Sequence, residues 1–364
     1  MNDISKTVIS GITQSESEKR DKLKKEKPRV YEKILRYKEK VARGEAIPII
    51  QFQYRYPCNY TCEHCSIKRF QTTKKEETED TRRVFTIPDV KELFRQADEM
   101  GLANMTITGG EPLLFPDFDE LVGAIGPDRF YIACDTNGWL LSKDWAKRLK
   151  ALGVDKVQPS LDSFYEHEHD EFRQKKGSYK RVMDAINFCL EEGLSVMLQT
   201  VLTKHRASSK EFLELLEFAK SKGVGVYVCY AKPVGAYEGN MDCLITQEDA
   251  DRVRELEKEY NVFTHMTPSY GLNLGCITVK RMVSVTRYGD VMPCPYIHVS
   301  LGNFFSEPLK DIIERGMQIK WFGEYHPECI LGENMDFIKL ITDKIKGKPL
   351  PIPYTEVFKE EDFM

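Results

Sequence analysis

From Ile47 to about residue 235 the chain alternates short apolar runs with amphipathic stretches. The segments IPIIQFQY, ANMTITG, RFYIACD, KVQPSL, LSVMLQTVL and VGVYVCY are apolar runs bounded by turns, and each predicts a strand. Between them, DVKELFRQADEMG, FPDFDELVGAIG, SKDWAKRLKALG, YKRVMDAINFCLEEG and SKEFLELLEFAKSKG carry the amphipathic pattern of helices. Several begin with Asp or Ser and end in Gly, the chemistry of helix caps. Such alternation predicts an α/β fold, a parallel sheet with helices outside it. Six strands are two fewer than a closed eight-stranded barrel needs, so a partial (β/α)6, TIM-like barrel is expected.

After Pro233 the rhythm stops. A turn, VGAYEGN, leads to a helix at QEDADRVRELEKEY and then to a segment with Cys276, Cys294, Cys329 and strand-like pieces around RMVSVT and GDVMPC. We place a boundary near Ala236, between a core over 46–235 and a small α+β extension over 236–364. Residues 1–45 are dominated by Lys, Glu and Arg; they read as a solvated helical or partly disordered arm, broken at Pro28.

A net charge of -4 offers no global attraction to nucleic acid or to an anionic membrane, so neither is expected as a partner. No apolar run approaches the roughly 20 residues that span a bilayer, and the start lacks a signal-peptide pattern, so the cytoplasm is the expected address. Ten cysteines are many for that compartment, where clustered thiols serve metals or redox chemistry.

Three of the ten fall in CNYTCEHC, directly after the first predicted strand. Thiolates of Cys58, Cys62 and Cys65 on so short a loop can converge on neighbouring corners of an iron-sulfur cube and leave one iron open for chemistry. A zinc knuckle with His64 as the fourth ligand is the competing reading, and a metal-stabilised binding module without catalysis the competing function.

A CX3CX2C loop after the first strand of a six-unit alternating chain resembles the radical S-adenosylmethionine (SAM) superfamily, and the likeness covers residues 47 to about 235. It implies a 4Fe-4S cluster on Cys58, Cys62 and Cys65 that binds and reductively cleaves SAM. His64 stands where that family usually has an aromatic residue. Gly109, Gly110, Glu111 and Pro112 match its GGEP segment, whose backbone meets the SAM amino group; glycines suit a close approach to a ligand. Ser160 and Asp162 in QPSLDS resemble the polar residues that hold the ribose and carboxylate of SAM. Thr136, Asn137 and Gly138 in DTNG belong to the same face. His169 and Asp170 are candidate contacts on the ribose side, or the solvated start of a helix.

The spacing of Cys276, Gly289 and Cys294 resembles the twitch and SPASM extensions of such enzymes, with Cys329 as a third ligand. One auxiliary 4Fe-4S cluster is therefore expected, its fourth iron bound by a residue such as Cys243 or open to substrate; buried free thiols are the plainer alternative. Cys189 reads as core. Cys134 and Cys229 end strands and are candidate hydrogen donors to a substrate radical, or core residues. The resemblance implies a one-electron donor such as flavodoxin or ferredoxin, and a 5'-deoxyadenosyl radical that abstracts hydrogen. Two substrates fit: a small metabolite (sugar, nucleoside or antibiotic precursor) that is oxidised, decarboxylated or rearranged, or a ribosomally made peptide that is crosslinked or epimerised. The charged arm is unlike a folded leader-binding domain, which favours the small molecule.

Overall fold

The computed structural model describes residues 14–364. Helices α1 (Gln14–Glu26), α2 (Pro28–Leu35) and α3 (Tyr37–Ala42) come first. Pro28 does interrupt the arm, and it does so by opening α2, where its missing N–H costs nothing. The arm is not merely solvated. Lys27 Nζ donates to the carbonyls of Phe130 and Gly153 and to Asp155. Lys33 Nζ reaches the carbonyls of Leu102 and Arg129, and the Tyr37 hydroxyl accepts from Ala103 N–H. Charged residues thus terminate the strand-entry loops of the core, a role that composition conceals. Replacing Lys27 with Ala strands these acceptors and should cost about 1–3 kcal/mol. An unchanged urea midpoint would show the arm to be ornamental.

Strands β1 (Ile49–Arg55), β2 (Asn104–Gly109), β3 (Tyr131–Thr136), β4 (Lys156–Pro159), β5 (Ser195–Leu202) and β6 (Gly225–Tyr230) pair in parallel in chain order. The connecting helices are α4 (Ile87–Glu99), α5 (Phe118–Ile125), α6 (Lys143–Ala151), α7 (Glu166–Phe172), α8 (Ser178–Glu191) and α9 (Lys210–Ser221). Ser142 and Ser209 cap α6 and α9 through Trp145 N–H and Phe212 N–H. For α4 the cap is Thr86, and Asp89 returns the bond from the first turn as the far half of a capping box.

The extension joins the same sheet at both ends. After α10 (Gln247–Glu259), β7 (Val262–Phe263) pairs in parallel with β6, while β8 (Met282–Thr286) pairs in parallel with β1 and carries the antiparallel β9 (Val291–Met292). The order is β7-β6-β5-β4-β3-β2-β1-β8-β9, an open, mostly parallel sheet. Side chains alternate across it as strand geometry requires. Ile50, Phe52, Ile107, Ile132, Leu198 and Val226 bury against the helices. Gln51, Gln53, Thr108, Asp135 and Gln199 line a cavity on the other face. An apolar shell around a polar interior is what a barrel needs to hold a polar ligand.

Among the described residues no helix is long and apolar enough to cross a membrane.

Candidate active site

Beyond β1 the chain turns through Tyr56 and Pro57 into the cysteine loop. Cys58, Cys62 and Cys65 line the main cavity together with His64, Gly109, Gly110, Glu111, Thr136, Asn137, Ser160 and Asp162, so the residues named from four separate motifs meet in one place. Burial pushes the Cys58 thiol up to about 12 and the Cys65 thiol up to about 11, and it raises Cys62 as well. Thiols in so dry a loop favour their neutral form unless a cation compensates their charge.

The GGEP segment is shaped by the strand beside it. A Cβ on Gly109 would meet the Arg55 carbonyl oxygen at 2.3 Å, and one on Gly110 would meet that of Pro57 at 2.1 Å. Gly110 N–H and Glu111 N–H donate to those same carbonyls. The glycines therefore allow β2 to lock onto the root of the cysteine loop, a nearer reason for them than contact with a ligand. Pro112 opens the short 3-10 turn that follows. Glu111 is buried and accepts from the Thr136 hydroxyl (2.7 Å), Asn137 N–H (2.8 Å) and Leu113 N–H (3.2 Å). Burial raises its carboxyl to about 6 against those bonds. It acts here as the clamp between the GGEP and DTNG loops. Gly138 N–H completes the turn on Thr136 Oγ1, and Asn137 Nδ2 reaches Asn59 in the cysteine loop at 2.7 Å.

Asp162 is buried under the cavity. Arg173 Nε donates to it at 2.5 Å and Val201 N–H at 2.8 Å. Burial opposes its charge, yet Arg173 and the Val201 N–H hold the carboxyl down at about 2. The same guanidinium lies 3.8 Å from Cys62 Sγ, and Gln71 Nε2 lies 3.5 Å from Cys65 Sγ. Donors of this kind tune an iron-sulfur cluster. Sequence reasoning missed both, since nothing in FRQKK or FQTTKK separates them from surface residues. His64 stacks on Phe172 with ring centroids 4.2 Å apart, and its Nε2 is 4.0 Å from Asp162. Burial lowers its imidazole to about 3, so the ring is neutral. Gly235, after β6, closes the site: a Cβ there would meet the carbonyl oxygens of Cys65 and Ser66 at 2.3 Å, and Ala236 N–H donates to the first.

Other candidates sit elsewhere. Asp170 caps α8 by accepting from Gly177 N–H, the Ser178 hydroxyl and Tyr179 N–H. His169 is fully buried, and its Nδ1 accepts from Asp162 N–H. Neither is a solvated helix start. Cys134 and Cys189 are packed in the core, and Cys134 lines neither cavity, which leaves it no route to a substrate. Cys229 lines both cavities.

The second, smaller cavity holds Cys276, Cys294 and Cys329 in its wall and shares Gln51, Asp135, Gln199, Cys229, Lys232 and Tyr296 with the first. Gly332 packs on Cys329, where a Cβ would lie 3.1 Å from Sγ. Cys243 lines neither cavity, so its suggested place as a fourth ligand is not supported.

Residues 56–219 match the family model of the radical SAM superfamily, and residues 276–330 match that of an iron-sulfur cluster-binding domain, SPASM. A GTP 3',8-cyclase of Nautilia profundicola is 34% identical over 254 residues, 65% of this chain and 77% of the relative. The chain belongs to the radical SAM superfamily. An AdoMet-dependent heme synthase of Methanosarcina barkeri is 25% identical over 305 residues, 75% of the radical SAM chain and 84% of the relative. Among solved structures, Streptococcus suis SuiB bound to its precursor peptide SuiA superposes with a TM-score of 0.58 at 17% identity, covering 78% of this chain and 69% of that one. This last likeness shows the fold.

The two matched domains make the protein an enzyme that uses 4Fe-4S clusters and SAM. The residues fit these groups. Two trios of buried or half-buried thiols stand in separate cavities, and the first has N–H donors beside two of its sulfurs. Among the described residues no three His, Cys, Asp or Glu side chains are placed to hold a single metal ion, an arrangement that the wider corners of a cube do not require. His64, turned to Phe172 and Asp162, is not set as a zinc ligand.

Proposed function

We propose that this radical SAM enzyme takes a hydrogen atom from a small, anionic metabolite seated between its two clusters. Lys232 carries the reading. It is 7% exposed and lines both cavities. Its Nζ donates to the Tyr230 carbonyl at 2.8 Å and lies 4.4 Å from the centre of the Tyr296 ring. Among the described residues no carboxylate pairs with it. Its charge acts on the nearby thiols of Cys229, Cys294 and Cys329, and an anionic group of the substrate would supply the direct partner that a buried ammonium needs. Gln51 and Gln199 add polar groups to the wall that can orient a bound ligand.

When bound, SAM at the reduced cluster supplies the radical that removes hydrogen; the protein positions the substrate and excludes water. The Glu111 clamp and the Asp162–Arg173 pair fix the loops around SAM. Cys229, at the boundary of the cavities, is the remaining thiol able to return a hydrogen atom.

The test is thermal protection of the reconstituted enzyme with SAM by anionic metabolites and by labelled peptides. Phosphorylated or carboxylated metabolites should raise Tm in the wild type and act far more weakly on Lys232→Gln. Protection by peptides alone, or equal protection of the variant, would sink the reading.

Asp135 faces the same space. Its carboxylate accepts from Gln199 Nε2 at 2.9 Å, with Thr108 also bonded to it and the charges of Glu111 and Lys156 nearby. Burial, opposed by those two hydrogen bonds, raises the carboxyl to about 7. A raised carboxyl stabilises the fold at low pH, and that contribution fades as pH rises through the folded value. Protein without clusters should therefore lose stability between about pH 4 and 7, and Asp135→Asn should flatten the loss. Parallel Tm–pH curves for the two proteins would refute the assignment.

A further inference from the structure

We propose that His265 is the fourth protein ligand of the auxiliary cluster, closing it against substrate. The inference rests on the reading of Cys276, Cys294 and Cys329 as the other three. His265 lies in the wall of the small cavity with those cysteines. Its imidazole is close enough to the Cys276 side chain to act on that thiol, and both line the same wall. Its Nε2 is buried and has no partner. An unpaired ring nitrogen in a dry, cysteine-lined pocket is expensive unless a ligand takes it, and imidazole is a known substitute for thiolate on iron.

The turn that carries the ring is built to hold it. His265 follows β7, which is paired with β6, so its backbone is tied to the strand that bears Cys229. Thr264 N–H donates to Thr267 Oγ1 at 2.7 Å, Met266 N–H to Thr264 Oγ1 at 3.0 Å, and the Thr267 hydroxyl to Glu257. The Tyr230 ring stands edge-on to the imidazole at 6.2 Å. Cys243 has no place in this wall. His326, whose Nε2 is also unpartnered, stacks on Trp321 and lies outside the cavity.

Four protein ligands leave no iron free, so the auxiliary cluster would carry electrons rather than bind substrate. A neutral nitrogen in place of a thiolate also removes one negative charge, and the potential rises accordingly.

The experiment uses full-length protein in which Cys58, Cys62 and Cys65 are Ala, so that only the auxiliary iron remains. It is reconstituted anaerobically, labelled with 15N-histidine, reduced, and read by pulsed electron paramagnetic resonance. A directly coupled histidine nitrogen is expected, lost in His265→Ala, kept in His326→Ala, and lost with retained iron and a lower potential in His265→Cys. Iron without nitrogen coupling, or coupling that survives His265→Ala, overturns the inference while sparing the cluster. Absence of auxiliary iron overturns the cluster itself, and His265 with it.

Discussion

Replacing any one of Cys58, Cys62 and Cys65 with Ala is expected to abolish 5'-deoxyadenosine formation. The three thiols line one cavity, with Arg173 and Gln71 beside the sulfurs of Cys62 and Cys65. A cube held at two corners would not keep the open iron in register with the SAM pocket. About four irons should be lost while those held by Cys276, Cys294 and Cys329 remain, because the trios occupy separate cavities. The measurement is iron content beside chromatographic assay of the nucleoside product. Product formation at a rate within tenfold of the wild type would remove these cysteines from the chemistry.

The second large effect should come from Asp162→Ala. Its side chain is 1% exposed, and the substitution leaves the Arg173 guanidinium, 11% exposed, without its counter-ion. Breaking a buried pair from one side costs about 3–5 kcal/mol, a large part of a typical domain's stability. Asp162 is held down at about 2, so the wild-type pair keeps its full worth above the ordinary carboxylate range and loses it as pH falls toward 2. Chemical unfolding at neutral pH should show the loss. Arg173→Met combined with Asp162→Leu should recover much of it, since no charge is then stranded. A single Asp162→Ala variant as stable as the wild type would mean that the pair is ornamental.

Strand and helix periodicity carried most of the core. Each of the six expected strands is present within a few residues of its place, because alternating burial leaves a local trace along the chain. The motifs at the strand ends were legible for the same reason: they are contiguous, and their meeting point follows from a parallel sheet. What stayed hidden was long-range. Nothing local tells that Lys27 reaches Asp155, that Arg173 reaches Cys62, or that a short strand at Met282 lies beside Ile49. The glycines of the GGEP segment were legible as close-approach residues, but which backbone they approach was not. His265 gave no signal, since a lone histidine two residues beyond a two-residue strand has no spacing to read.

The pairing of β8 with β1 has a consequence for how the molecule is made. Gln53 on the first strand meets Ser284 across 231 residues of chain. During synthesis that strand leaves the ribosome long before the neighbour that covers its outer flank, and an uncovered edge invites pairing with another nascent chain. A version cut after β6 should therefore precipitate rather than behave as a small independent barrel, and expression at low temperature or with chaperones should favour full-length chains that reach their final sheet.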